Sequence, residues 1–319
     1  MQTVALTPAE APTVDVPALG ERSLSPSTLW KLRHMARDAD YVISHGSRAL
    51  PACWAAQELS QRKFVFRSIG DAVFWARSPA RRARVTMYLH KAEAVVALWP
   101  ASADSLTERY RVPRERITVI PTGVPADRFP PVDNVRRASA RAALGLDDER
   151  PMVLYLGWLS PEKGPQVAIN AMRSLPDAML VIAGDGPQRA ELERLAADVA
   201  PNRVRFLGAV DDASAVMSAC DVFVLPASIE GLPAVLIEAG LTGLPVVATD
   251  IGAVREVIRH EETGIVIPPE DPTTLSAAVQ HALHDGADLA ANLRLHCLDT
   301  FEINVVARSW DALLSALPR

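Results

Sequence analysis

The run Val222-Phe223-Val224-Leu225-Pro226-Ala227-Ser228-Ile229-Glu230-Gly231-Leu232-Pro233-Ala234-Val235-Leu236-Ile237-Glu238-Ala239-Gly240 changes its pattern twice. Val222–Leu225 is unbroken and apolar, as a strand covered on both faces must be. Residues 226–232 interrupt both periodicities with Pro, Ser and Gly, and Pro233 suits the opening of a helix. Strand, loop and helix in this order form part of a βαβ unit, and such units build parallel sheets with helices on both faces.

The same rhythm extends outward in both directions. Met152–Leu156, Met179–Ala183, Val204–Leu207 and Val246–Ala248 read as further buried strands, separated by amphipathic stretches near 163–174, 188–198, 211–219 and 233–242. Upstream, Tyr41–Ser44, Phe64–Arg67, Ala94–Leu98 and Ile117–Ile120 are expected strands, with helices near 49–60, 79–90 and 102–110. The Pro-rich tract PTGVPADRFPPVD (121–133) reads as a linker, and beyond 270 the chain is helical, ending in an amphipathic helix over Glu302–Leu317. These features predict an N-terminal domain over 1–132 and a C-terminal domain over 133–300, with 301–319 a helix returning to the first domain. In open parallel sheets ligands bind at the C-terminal ends of strands. The loops at 157–163, 184–188, 226–232 and 249–253 are therefore where chemistry is expected.

Composition narrows the class. Of 319 residues 49% are hydrophobic and 22% charged, which suits packed cores and excludes disorder as the dominant state. No apolar run approaches the ~20 residues of a membrane-spanning helix. The first residues show no basic patch followed by an apolar stretch, so no secretory signal is expected. Cys53, Cys220 and Cys297 are few and odd in number, as expected of reduced thiols in a cytoplasmic protein. The net charge of −5 divides into +6 over 1–132 and −11 over 133–319. Arg77, Arg81, Arg82, Arg84, His90 and Lys91 form the densest basic cluster. It reads either as a contact for an anionic membrane surface or phosphorylated acceptor, or as a solvated helix face. Only one aromatic side chain, Tyr88, falls within it, too few for the base stacking that nucleic acid would require.

Three motifs carry candidate chemistry. In Leu156-Gly157-Trp158-Leu159-Ser160-Pro161-Glu162-Lys163-Gly164, Ser160 is an expected cap, Pro161 the expected first helical residue, and Lys163 a cation in the first turn. A cation there is repelled by the helix dipole unless an anion docks beside it; an ordinary surface lysine is the alternative. In the loop 226–232, Glu230 precedes Gly231 and Leu232, whose N–H groups are suited to phosphate oxygens, while Glu238 lies in the apolar run AVLIEAGL. A carboxylate in such a run needs partners. No basic residue stands between Glu230 and Arg255, so a vicinal diol is one candidate. Ala183-Gly184-Asp185-Gly186-Pro187-Gln188-Arg189 lacks the spacing of a dinucleotide fingerprint. Asp38-Ala39-Asp40 precedes its strand and so points to the wrong end of the sheet, whereas His45 stands at the strand exit.

Taken in order, VIPTGVPADRFPP, YLGWLSPEKG, VIAGDGPQR, VRFLGAV and LPASIEGLPAVLIEAGLTGLPVVATDIGAVREVI resemble family 4 of the retaining glycosyltransferases, from about residue 30 to the end. The resemblance implies an α/β protein of the GT-B class, with two Rossmann-like domains facing across a cleft. It implies a nucleotide-sugar donor in the C-terminal domain, a hydroxyl acceptor on the N-terminal side, and no metal or other cofactor. By this resemblance Gly157 and Lys163 hold the diphosphate, and Glu230, Gly231 and Leu232 hold the donor sugar and phosphates. Glu238 takes the ribose, and Phe206 and Gly208 line the base. Glu230 and Lys163 are the expected catalytic pair; His45, Gly70 and Asp71 are the acceptor-side candidates.

Two departures stand out. Trp158 occupies a position where such families carry Arg, and one lost cation costs about 2–4 kcal/mol of transition-state stabilisation where nothing replaces it; Arg189 or a residue of the other domain is the candidate replacement. The first residues resemble the segment that follows the family's opening strand and glycine-rich loop, so a truncated N-terminal sheet or a misplaced start is expected. A non-catalytic binding protein and an epimerase or phosphorylase of the same fold remain alternatives at this point.

Overall fold

A computed structural model describes residues 3–7, 16–60, 63–70, 75, 78–146 and 149–318. The chain forms two compact units, Met1–Pro121 with Ser309–Arg319, and Thr122–Arg308.

In the first unit the order is α1 (Pro26–Ala36), β1 (Val42–His45), α2 (Leu50–Ser60), β2 (Phe64–Arg67), α3 (Pro79–Lys91), β3 (Ala94–Ala97), α4 (Pro100–Tyr110) and β4 (Ile117–Val119). The four strands are parallel and lie in sequence order, with Val42 opposite Phe64, Val65 opposite Ala94 and Val95 opposite Ile117. Ser25 and Ser78 accept N–H bonds at the starts of α1 and α3, each followed by a proline whose missing N–H costs nothing there. Phe64, Phe66, Leu89, Val95, Leu106 and Tyr110 fill the core. The end of the chain joins this unit: Tyr41 Oη donates to the Leu317 carbonyl at 3.0 Å and Lys63 Nζ to that of Pro318 at 2.9 Å.

The second unit runs α5 (Asn134–Leu144), β5 (Met152–Leu156), α6 (Pro165–Ala171), β6 (Met179–Ala183), α7 (Arg189–Val199), β7 (Val204–Gly208), α8 (Ala213–Ala219) and β8 (Val222–Leu225). It continues with α9 (Ala234–Thr242), β9 (Val246–Thr249), α10 (Val254–Val257), β10 (Ile265–Ile267) and α11 (Pro272–Thr300), and α12 (Ile303–Ala316) starts in this unit and ends in the first. Its six strands are all parallel in the order β10-β9-β8-β5-β6-β7. The chain starts at the centre with β5, proceeds outward through β6 to β7, then returns to β8 on the other side of β5. Strand order therefore reverses between β5 and β8, where a crevice opens in sheets of this kind.

Several expectations change. β10 lies outside the expected strands, because three residues are too few to establish a period. α1 and α5 are likewise additions; the side of α5 that is half-buried carries Arg137, Ala140, Arg141 and Leu144, so its inward stripe is partly basic and does not read as apolar, while Asp133 caps its start and Gly145 ends it in the left-handed conformation. The Pro-rich tract is bonded into the second unit. Val124 N–H donates to the Phe301 carbonyl at 2.9 Å, and Val132 N–H to that of Thr242 at 3.1 Å. Proline breaks helix and strand periodicity, but the remaining N–H groups still find partners. No helix among the described residues is long and apolar enough to cross a membrane.

Candidate functional site

The loops leaving β5 and β8 are locked together by close backbone approaches. Gly164 is in the left-handed conformation (φ 70°), and a β-carbon on it would stand 2.0 Å from the Pro226 carbonyl oxygen. Only glycine fits both the dihedral and the space. Ser228 N–H donates to the Glu162 carbonyl at 2.8 Å, joining the same two loops. From the β9 exit, a β-carbon on Gly252 would meet the Glu230 carbonyl oxygen at 2.2 Å, and Ala253 N–H donates to the Gly231 carbonyl at 3.0 Å. The backbone on either side of the Glu230 side chain is thus held from two directions.

The expected placement of Lys163 in the first turn of a helix is corrected by this geometry. Pro161–Lys163 form a single 3-10 turn, Gly164 reverses the backbone, and α6 begins only at Pro165. Ser160 makes no side-chain cap to that turn. The anion argument from a helix dipole acting on Lys163 therefore does not apply; the ammonium is placed by the 3-10 turn instead.

Lys163 Nζ donates to Glu230 Oε1 at 2.5 Å, with the two side chains 30% and 16% exposed. Beside this pair lies a cavity of about 280 Å³, whose walls include Gly157, Trp158, Lys163, Glu230, Leu232 and Pro233. Ala234 and Val235, the first residues of α9, also line it, and α9 has no side-chain cap at its start. Uncapped N–H groups and the positive end of a helix favour an anion there. An ammonium has three donors, so Lys163 can keep Glu230 and still bind an anion. Tyr155 also lines the cavity, and its Oη donates to the Trp158 carbonyl at 2.9 Å. Burial, then the carboxylates of Glu230 and Glu162, push its phenol well above the usual tyrosine range, which keeps it a neutral donor.

Gly157, Lys163, Glu230, Gly231 and Leu232 are thus gathered at the β5–β8 switch point by these loops. Glu238 is not in the cavity wall; it sits further along α9, half-buried. Burial raises its carboxyl above the usual glutamate range, and the charge of Arg128 partly opposes that. Arg128, in the 3-10 turn Ala126–Arg128, is a partner that the stretch between Glu230 and Arg255 did not contain. Phe206 and Gly208 close β7 at the sheet edge: Phe206 packs on the hydrophobic core, and the Gly208 carbonyl accepts from Gly184 N–H at 2.7 Å. Neither lines the cavity. Arg189 is committed to Glu193 at 2.9 Å.

In the first unit, His45 ends β1 opposite Arg67 on β2. Partial burial, then the Arg67 charge, lower its pKa below the usual histidine value. The Gly70 carbonyl accepts from Ser68 Oγ at 3.1 Å. Asp71 and Arg77 lie outside the described residues. Arg81, Arg82 and Arg84 on α3 are exposed. Cys53, Cys220 and Cys297 are buried thiols in no disulfide.

Sequence reasoning missed the parts that hold the site: Tyr155 in its wall, and Gly164 and Gly252 bracing the loops. The signal was present as glycines just past strand exits, but their contacts are with residues far away in sequence.

A sequence profile described as "Glycosyl transferases group 1" matches residues 136–295, and one described as "Glycosyltransferase Family 4" matches residues 4–128. The chain is 35% identical to the alpha-D-kanosaminyltransferase of Streptomyces kanamyceticus over 205 residues, 62% of this chain and 53% of that one. It is 31% identical to the GDP-mannose-dependent alpha-(1-6)-phosphatidylinositol monomannoside mannosyltransferase of Mycolicibacterium smegmatis over 74% of this chain and 65% of that one. The chain spans roughly half to two thirds of the length of these curated relatives. Among solved structures, Anabaena Alr3699/HepE in complex with UDP superposes with a TM-score of 0.84 at 23% identity, over 91% of this chain and 82% of that one. The fold of two parallel-sheet α/β units is shared with that GT-B structure. With half of the chain matched by the first profile, this protein belongs to the glycosyl transferases group 1 family.

Proposed function

We propose that this chain transfers a sugar, with retention of anomeric configuration and without a metal, from a nucleotide-diphosphate donor to a hydroxyl acceptor. The observation that carries the reading is the Lys163–Glu230 pair, 2.5 Å apart beside a cavity at the strand-order switch point and against the start of α9. As the glycosidic C–O bond breaks, negative charge grows on the leaving diphosphate. Lys163 and the α9 N–H groups are fixed donors that would meet it without reorganisation. Glu230 would orient the ammonium and accept from sugar hydroxyls, while Glu238 on the same helix would take the ribose. The base would lie toward Phe206 and Gly208, and the acceptor-side candidates among the described residues are His45 and Gly70.

The relatives' printed names, which include a kanosaminyltransferase and a GDP-mannose-dependent mannosyltransferase, support the donor class. So do complexes of the Anabaena structure with UDP and with UDP-glucose. The exposed arginines of α3 suit an acceptor carried at an anionic surface, with the enzyme peripheral on the cytoplasmic side; co-sedimentation with anionic vesicles tests that part. For the chemistry, Lys163→Ala and Glu230→Ala should each cut nucleoside-diphosphate release at least ~100-fold while the melting temperature holds. Near-normal turnover in either variant would overturn the assignment.

A further inference from the structure

We propose that Trp158 is the sugar-facing wall of the donor cavity and sets which sugar this chain accepts, an inference that rests on the donor reading above. Trp158 is 57% exposed, yet it lines the cavity with Lys163 and Glu230. Its mount is rigid. The Trp158 carbonyl accepts from Tyr155 Oη at 2.9 Å and from Ser160 N–H at 3.0 Å. The N–H groups on either side, of Gly157 and Leu159, donate to the carbonyls of Ala183 at 3.0 Å and Asp185 at 2.9 Å. A β-carbon on Gly184 would fall 1.9 Å from the Gly157 carbonyl oxygen, so the neighbouring loop presses directly on this one.

A large apolar side chain held in water on a fixed backbone forgoes the favourable burial that an occupant of the cavity would restore. In the facing loop Ile229, next to Glu230, is 50% exposed, so each of the two loops that supply the ion pair also presents a large apolar side chain. A flat indole face attracts positively polarised C–H edges and flat rings. Two parts of a nucleotide sugar answer that description, the base and the pyranose. The wall Trp158 shares is the one assigned to the leaving diphosphate and the sugar. The strand exit assigned to the base lies at the β7 edge and does not line this cavity. The occupant is therefore the sugar, and the class favoured is a pyranose that shows one face of C–H bonds, its hydroxyls equatorial or reduced in number.

The cavity wall thus divides two roles between side chains. Lys163 meets the charge of the diphosphate, and Trp158 meets the shape of the sugar. Binding energy moved from the phosphate to the sugar makes discrimination between donors depend on the sugar ring.

The test is calorimetric titration of the wild-type chain, Trp158→Ala and Trp158→Phe with UDP, UDP-glucose, GDP and GDP-mannose. For the base that wild type prefers, Trp158→Ala should lose about tenfold in affinity for the sugar-bearing donor and less than about threefold for the diphosphate alone. Trp158→Phe should keep most of the wild-type preference. A loss for the diphosphate as large as that for the donor, or no loss for either, overturns the role of Trp158 and leaves the donor site standing. If wild type binds none of the four, the donor reading and this inference fall together.

Discussion

Gly164 and Pro226 meet backbone to backbone, so closely that a β-carbon on Gly164 would stand 2.0 Å from the Pro226 carbonyl oxygen. This contact sets Lys163, one residue before it, against Glu230, four residues beyond Pro226. Gly164→Ala must move one loop away from the other and also adopt a left-handed conformation that alanine disfavours. The expected cost is about 2–4 kcal/mol of stability, read as a shift in the urea midpoint, together with a fall in donor affinity although the Lys163 charge is kept. A stable Gly164→Ala variant with unchanged donor binding would show that the loop contact does not position the pair.

Glu238 carries a stability cost that its binding role would justify. Its carboxyl is raised by burial, with Arg128 opposing in part, so the folded state holds the proton more tightly than the unfolded chain does. Between the ordinary glutamate value and the raised one, the folded state binds more protons, and stability falls as pH increases through that window. Glu238→Gln removes the effect. Its melting temperature should match wild type below the ordinary glutamate value and exceed it increasingly above, reaching a plateau past the raised value. Nucleotide affinity should fall in the same variant. A constant difference at every pH would argue against a raised carboxyl.

Asp221 serves the fold and not the site. It stands just before β8, at the opposite end of that strand from the Glu230 loop, and accepts from Arg141 Nη2 at 2.6 Å and from Met152 N–H at 2.8 Å. Arg137 Nε lies 3.3 Å from its other oxygen. With the Asp221 side chain 23% exposed, solvent screens part of these interactions. Asp221→Ala should cost about 1–3 kcal/mol in chemical denaturation, mostly from stranded partners, with donor KM unchanged below the melting transition. A change in KM without a change in stability would refute this division.

The sheet architecture was legible because it depends on local pattern. β8, β5 and β9 are short apolar runs whose residues are buried almost throughout, and each is followed by residues that break periodicity. The loop positions of Lys163 and Glu230 followed from the same reasoning, since a parallel sheet fixes which strand ends carry ligands. What escaped depends on distance in sequence. Nothing around Glu238 reveals Arg128, because the two are joined only by folding. The helical reading of Lys163 failed because Pro161 satisfies a helix start and a 3-10 turn equally well, and the left-handed backbone at Gly164, close against Pro226, decides between them. α5 escaped because its half-buried stripe includes Arg137 and Arg141, which do not read as apolar.

Whether a diphosphate sits beside Lys163 is decided by equilibrium binding of UDP and GDP to wild type and to Lys163→Met, which keeps the length of the side chain and removes its charge. If the cavity beside the 2.5 Å Lys163–Glu230 pair holds it, the preferred nucleotide should raise the wild-type melting temperature, and its Kd should rise at least ~10-fold in Lys163→Met. Equal affinity in the two proteins would place the diphosphate elsewhere and remove the basis for the donor site.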